Sequence, residues 1–534
     1  FGDKFKKKEL FFYKNKNQLF CSTRLDFIIE NLKEIKFNQE ALVSMFSVYG
    51  NYAPKKDTIY KNVNKLGVDE IIIRKGANFI ISKLKYLPLK INLRQKTDDY
   101  KKYLENSIKI RSSNEMNWVL LSSGWDSSAI LSILVKLRGS NRVRALIAKF
   151  KYSNKSGVNN NFEVERAVKI AQHFKVKIDI INIDYSSKEY VRYWSKIKDN
   201  LKCNHLYNMN NYNFMKTAEF IKQKSKNKSY PVFNGEISDG AHNLGFSQFA
   251  TILDHQDLNF REYSDKMMSY LFGPSFFKQI LNKTYKNDFI FNIFKNKLKI
   301  KLESFDNFNL NKKKLLFLNS FFLNSIRFPM SQKNSSKLVT KYGYSSFEKK
   351  IHKNYFMEII KSLKPDNIYS AILYLYNSFH WQGATVRCHP NACEVYNLKC
   401  EMPFWDTRIQ SYLSSMSEKN GRGLDLNPTK FPLKEAIKNY DYPFNLQSGP
   451  HSYLYDIDPN WSADYDILFF SAANKHFKKV LKEKKYKEIL DKKYFNISYL
   501  DKIVGEYLKG KILVGQERND LKNLLSISLI GWYY

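Results

Sequence analysis

Acidic residues are scarce in this sequence: 51 Asp and Glu stand against 88 Lys and Arg, leaving a formal net charge of +37. A basic surface of that size attracts nucleic acid. The lysines, however, run from end to end without clustering, and no nucleic-acid-binding motif accompanies them. The chain is rich in Lys, Asn, Ile, Tyr and Phe throughout, as an A/T-rich coding sequence would make it, so nucleic acid is not the expected partner. Cysteine is rarer still. Five residues, an odd number (Cys21, Cys203, Cys388, Cys393, Cys400), exclude a disulfide framework. Cys388, His389, Cys393 and Cys400 lie close in sequence, with His380 upstream, but the cysteine gaps are four and six and no second close pair exists. Zinc sites usually carry a tighter step and a second pair, so these read as structural cysteines near a core. No run of 18 apolar residues occurs, and the apolar end Leu521–Tyr534 is short and interrupted by Ser526 and Ser528. No membrane-spanning helix is expected. Position 1 is not Met and no signal-peptide pattern follows; the chain reads as cytoplasmic and lacking its first residues.

What is present is a 534-residue chain, 43% hydrophobic, long enough for two to four domains. Its most informative stretch is Trp118–Ser128, WVLLSSGWDSS. Four mostly apolar residues, Trp118 to Leu121, predict a buried parallel strand. Ser122, Ser123 and Gly124 break it, and Asp126, Ser127 and Ser128 offer short oxygen side chains of the kind that cap helices. Ala129, Ile130, Ile133, Leu134 and Leu137 then recur at helical spacing. Strand, small polar turn and helix N-terminus make an anion site, because backbone N–H groups point outward and the helix dipole favours negative charge.

At these residues the chain resembles the ATP pyrophosphatases. SSGWDSS is similar to their SGGxDS loop (the PP-loop), with Gly124, Asp126, Ser127 and Ser128 matching and Ser123 in place of the first glycine. Further strands are predicted at Arg144–Phe150 and Val176–Ile183, with a helix between them carrying Val164, Ala167, Val168, Ala171 and Phe174. Alternation at this spacing predicts an α/β fold, a doubly wound parallel sheet. A second landmark, PVFNGEISDG at Pro231–Gly240, reads as a strand opening into an acidic turn at the same sheet edge. It resembles the S-G-E-G-x-D-E segment of asparagine synthetase and its relatives, with Asn234, Gly235, Glu236, Ser238 and Asp239 in place and Gly240 where a second Glu is usual.

The resemblance to asparagine synthetase implies an ATP-dependent ligase. A carboxylate is activated as an acyl-adenylate, an amine or ammonia attacks it, and AMP and pyrophosphate leave. The cofactors implied are ATP and Mg²⁺. Mg²⁺ takes oxygen ligands from a few carboxylates plus phosphates, so Asp126 and Asp239 are the expected metal contacts. Ser122, Ser123 and Gly124 would let the backbone approach the pyrophosphate. Glu236 would position the amine or take its proton, a step typically worth 10²–10⁴-fold. Leu121, Ile147, Asn234 and Gly235 would contact the adenosine part. The catalytic set is therefore Glu236, Asp126 and Asp239.

A third landmark, LKCEMPFWDTRIQSYL at Leu398–Leu413, is similar to the family's L-E-x-R-x-P-F-L-D-x-R-L, with Pro403, Phe404, Asp406, Arg408 and Ile409 kept. Its acid–base pair is reversed: Lys399 stands where Glu is usual and Glu401 where Arg is, so the pair would survive inverted. Thr429–Ala436, TKFPLKEA, resembles the following T-K-x-L-L-R-x-A helix, with Lys430 and Leu433 kept and Pro432 suited to its first turn. The basic segment that normally carries a catalytic Lys corresponds to Phe444–Gly449, which has no lysine. Losing such a charge usually costs several kcal/mol of barrier. Another Lys substitutes, or the chemistry has altered.

Residues 1–30 predict a hairpin, Leu10–Tyr13 with Gln18–Cys21, similar to the closing hairpin of a glutaminase-like amidotransferase domain; its N-terminal nucleophilic Cys does not appear. Residues 31–96 resemble the family's connector, with a helix at Gln39–Gly50 and a strand at Glu70–Arg74. Residues 97–534 form the synthetase-like domain, with a helical insertion at about 250–376 and an amphipathic closing helix at Leu521–Trp532. A small carboxylate and an amine donor are the expected partners; the resemblance also allows a homodimer. Asparagine is the default product. The reversed charges and the missing lysine favour equally a relative that forms lactams or macrolactams or modifies glycans. A tRNA-modifying pyrophosphatase and a nucleotide-binding paralogue without activity stand outside those readings.

Overall fold

The computed structural model describes residues 3–15, 18–47, 55–76, 78–85, 87–192, 211–243, 274–288, 308–323, 337–378, 384–417, 430–447 and 462–531. Strands β1 (Phe11–Lys14) and β2 (Leu19–Ser22) form the expected antiparallel hairpin, and β1 also pairs with β3 (Val63–Lys65). That third strand gives the hairpin the partner it needs, since two strands alone are marginal in water. Helix Gln39–Ser47 stands between them in sequence. A second hairpin, β4 (Glu70–Lys75) with β5 (Asn78–Lys83), follows.

The central element is a five-stranded parallel sheet. Helix α1 (Thr97–Lys109) leads to β6 (Asn117–Leu120), helix α2 (Trp125–Arg138), β7 (Val143–Lys151), helix α3 (Asn161–His173) and β8 (Lys177–Asp184). After helix α4 (Asn211–Lys224) the chain returns as β9 (Pro231–Phe233), on the other side of β6, and turns into α5 (Ser238–Asn243). Much later, helix α6 (Ala384–Val395) delivers the edge strand β10 (Lys399–Glu401). The spatial order is β10-β9-β6-β7-β8, with every neighbouring pair parallel. A five-stranded parallel sheet with helices between its strands is the α/β architecture expected from the sequence. Strand order reverses between β6 and β9, and open α/β sheets bind ligands beyond the strand ends at such a switch point.

Burial explains the near-continuous apolar strands. Trp118, Val119, Val232 and Phe233 are at most 1% exposed, and each such side chain contributes roughly 1.5–3 kcal/mol on leaving water. On α2, Ser127 through Leu134 are all buried, so this helix sits inside the protein and shows little of the amphipathic stripe of a surface helix. Described helices between the sheet and its edge strand include Pro274–Asn282, Leu310–Leu323, Lys341–Ile351 and Ile368–Ser378. Beyond β10 come α7 (Thr407–Ser415) and α8 (Phe431–Ile437), and the chain closes with helix Gly515–Gly531. Among the described residues no helix is long and apolar enough to cross a membrane.

Candidate active site

The loop after β6 is held by its own serines. Ser127 Oγ accepts from the Ser122 N–H (3.0 Å) and lies 2.9 Å from Ser122 Oγ, while Ser122 Oγ accepts from the Gly124 N–H (3.1 Å). The expectation that Asp126, Ser127 or Ser128 caps the helix is corrected here. Gly124 is the N-cap, and no side chain takes up its helix-end N–H groups. Ser128 lies one turn too far in; its hydroxyl bonds the Gly124 carbonyl (2.7 Å) and the Tyr442 hydroxyl (2.5 Å). The first turn of α2 thus keeps its donors for an anion. Glu163, from α3, accepts from the Ser123 N–H, and burial pushes its carboxyl up from the usual range. Sequence reasoning did not include Glu163.

The turn after β9 presses directly on this loop. A Cβ placed on Gly235 would lie 2.7 Å from Asp126 Cβ and 3.0 Å from the Ser127 nitrogen, closer than real side chains approach. Glycine is required there by space. Two residues on, Ile237 is buried with φ of +78°. That backbone region is a genuine outlier for a β-branched residue, and strain of this kind costs on the order of 1–3 kcal/mol. The turn is braced: the Asn234 side chain accepts from the Glu236 N–H (3.0 Å), and the Asn234 N–H reaches the Glu401 carbonyl on β10 (3.1 Å).

The two acidic candidates meet on one cation. Lys430 Nζ lies 2.8 and 2.6 Å from the two Asp126 carboxylate oxygens and also ion-pairs with Asp239. Lys430 is the residue before α8, in a left-handed conformation (φ 57°, ψ 33°) that turns its side chain inward. Burial opposes its charge, but the Asp126 and Asp239 carboxylates outweigh that and hold the amine well above the usual lysine range. Burial, reinforced by Asp239, pushes the Asp126 carboxyl up, with Lys430 pulling the other way. Asp239 is about half exposed and Asp126 largely enclosed, so the pair opens to solvent on one side.

Behind Asp126 a buried chain of polar groups continues. Ser238 donates to Asp126 Oδ1 (2.6 Å), His242 Nδ1 lies 3.0 Å from Ser238 Oγ, and Tyr100 OH lies 2.7 Å from His242 Nε2. With the Ser238 proton given to Asp126, its oxygen accepts from His242 Nδ1–H, and Nε2 accepts from Tyr100. One charge is thereby oriented by three residues from two elements, α5 and α1.

The remaining expected contacts are placed as follows. Leu121 is buried at the end of β6, its N–H bonded to the Leu146 carbonyl (2.9 Å), and Ile147 is buried in β7 next along. Glu236 sits at the turn, close enough to influence His389. Trp125 stacks on Tyr442 (5.5 Å, 19°), and Lys434 Nζ stands 4.8 Å from its ring centre. The segment lacking a lysine, Phe444–Gln447, packs Phe444 against Trp125 and Tyr442; residues 448 and 449 lie outside the described residues. The cation brought to Asp126 and Asp239 is Lys430, which the T-K match kept without assigning it a role. The expected inverted pair is corrected as well: Glu401 ion-pairs with Arg111, just past the end of α1 (3.5 Å), which also reaches Asp406 (3.2 Å), while Lys399 is exposed. Cys388 and Cys393 are buried, as expected of core cysteines, and His389, Cys393 and Cys400 converge; Cys203 and His380 fall outside the described residues.

No family model matches this chain, and no curated protein does. Among solved structures, a glutamine-dependent NAD⁺ synthetase from Acinetobacter baumannii, determined with adenosine diphosphate, is similar over 38% of this chain and 41% of that one. Identity is 16% and the TM-score 0.21.

Proposed function

We propose that this chain is an ATP-dependent amide-forming ligase that activates a carboxylate as its adenylate and releases AMP and pyrophosphate. The observation that carries the reading is the convergence of Asp126 and Asp239 on one cation at the switch point, beside a helix end with no side-chain cap. Two carboxylates already sharing one ammonium stand close enough to share one divalent ion. They are hard oxygen donors, as Mg²⁺ prefers. Asp126 and Asp239 would hold it, and it would supply charge neutralisation for the phosphates.

The residues have separable tasks. Backbone donors of the first turn of α2 face the departing pyrophosphate, with small side chains at 122–124 leaving room for it. Lys430 and Lys434 carry positive charge to the transferring phosphate, the role left open at Phe444–Gly449. Preorganised charge of this kind is worth several kcal/mol. Glu236, at a turn held by Asn234, positions the attacking amine. Asparagine remains the default product, with divergence from aspartate favoured where Lys399 and Glu401 depart from the family pattern.

The test is pyrophosphate release. Purified protein with ATP and Mg²⁺ is offered a panel of small carboxylates, and release dependent on one acid supports the proposal. No release with any acid, together with undiminished ATP binding, would leave a nucleotide-binding protein without ligase chemistry and overturn it.

A further inference from the structure

His389 and Cys393 lie four residues apart on α6, hence one above the other on a single helix face. The chain leaves that helix through Asn397, in a left-handed conformation (φ 50°), with the Leu398 N–H bonded to the Cys393 carbonyl (2.7 Å). This tight turn brings Cys400 of β10 back beneath the helix. Cys393 Sγ lies 3.4 Å from His389 Nε2, and Cys400 Sγ lies 3.4 Å from His389 Nδ1. One donor atom from each of the three residues falls within 4.8 Å of the others. His389 and Cys393 are each 1% exposed, and the Phe214 ring (5.9 Å from the imidazole) stands beside the cluster.

We propose that His389, Cys393 and Cys400 form a binding site for a thiophilic divalent ion, Zn²⁺ above all. Zn–S bonds of about 2.3 Å and Zn–N bonds of about 2.0 Å imply tetrahedral edges of roughly 3.5–3.8 Å. The two 3.4 Å contacts fall on different ring nitrogens, so the imidazole must turn to offer one nitrogen to both sulfurs, and the 4.8 Å spread of one donor from each residue puts that within reach. Two thiolates and an imidazole select zinc over magnesium or calcium, which take oxygen. Three protein ligands leave a fourth position for a small donor. Without an ion the arrangement is poor for a buried imidazole, since sulfur is only a weak hydrogen-bond partner. The one strong contact is the Asn234 carboxamide, 2.6 Å from Nδ1 and also 3.6 Å from Cys400 Sγ. Asn234 also fixes the Glu236 N–H, so metal loading would stiffen the acidic turn from behind. The site stands independently of the ligase reading, since its evidence lies in α6 and β10.

The test uses the full chain, stripped with chelator and kept reduced, then titrated with Co²⁺ alone. One equivalent should give a thiolate-to-cobalt charge-transfer band and tetrahedral d–d bands, both displaced by Zn²⁺. Cys393→Ser and Cys400→Ser should each weaken Co²⁺ binding by more than about 100-fold, beyond the effect of losing an outer partner. Cys21→Ser and Cys388→Ser should leave it unchanged. Absence of the band in wild-type protein would overturn the proposal even if a variant failed to fold. So would a band that survives Cys400→Ser, or a Cys393–Cys400 disulfide forming in place of metal uptake.

Discussion

Lys430 Nζ lies 2.6 Å from Asp126 Oδ2 across a sequence separation of 304 residues. The contact joins the loop after β6 to the start of α8, and the same ammonium also ion-pairs with Asp239 beyond β9. Asp126→Asn should reduce pyrophosphate release by at least 100-fold, because it removes a carboxylate of the proposed Mg²⁺ site and leaves the Lys430 ammonium half paired. Lys430→Met should reduce it comparably, several kcal/mol being the usual worth of such a charge. The two losses should not add in the double variant, since both act on one cluster. Steady-state rates on all three proteins check this.

Gly235 permits the approach of the two turns, and its substitution is the most local test of that geometry. Gly235→Ala places a methyl 2.7 Å from Asp126 Cβ. Overpacking of this kind costs about 1–3 kcal/mol, and ATP binding should weaken more than tenfold as Asp126 is displaced. Gly505, in helix Ile497–Leu508, has open space where its Cβ would be. Gly505→Ala should stabilise the protein by about 0.5–1 kcal/mol and leave ATP binding alone. Thermal melts and nucleotide titrations of the two variants separate a steric role from a generic glycine effect.

Tyr100 touches neither Asp126 nor the loop, yet it anchors the chain that orients Asp126. Tyr100→Phe leaves the buried His242 Nε2 without its donor, a loss of about 1–3 kcal/mol. The rate should fall by roughly tenfold while the KM for ATP moves little, since no nucleotide contact is removed. A fall confined to KM would place Tyr100 in binding and refute the orienting role.

The parallel sheet was legible in the sequence because β6, β7 and β9 are largely buried and read as apolar runs, while β8, at the edge, alternates apolar and polar residues. β6, β7 and β8 lie within one residue of the expected spans. The pairing of β1 with β3 was not legible, since Val63–Lys65 is three residues of ordinary composition and its role depends on a partner some fifty positions earlier. Within the site, Asp126, Gly235 and Asp239 were marked by short motifs, whereas Lys430 carried only a weak match and gained its meaning from distance in the fold. Ser238 lay inside the second landmark, but Glu163, His242 and Tyr100 had no local signal at all. His389 and the cysteines were visible, but spacing rules for paired knuckles gave them no weight. Those rules assume ligands on one turn, and here a helix and the strand it feeds supply them.

Asp520 offers a test of stability away from the site. It is fully buried in helix Gly515–Gly531, accepting from Tyr499 OH (3.0 Å) and Gln516 Nε2 (2.7 Å), with no cation among these partners. Burial raises its carboxyl from 3.8 to about 7, against those two hydrogen bonds. The folded protein therefore holds this proton up to about pH 7, while the unfolded chain releases it near the ordinary aspartate value. Between those limits the native state binds more protons than the unfolded one, so stability falls as pH rises through the window. At about 1.4 kcal/mol per unit, the loss from pH 4 to pH 8 is on the order of 2–4 kcal/mol. Asp520→Asn cannot ionise, so it should flatten this slope and exceed wild type in stability at pH 8, with the two proteins converging at about pH 4 and below. Urea unfolding at a series of pH values measures the difference directly, and an unchanged slope in the variant would show that Asp520 is ionised in the fold.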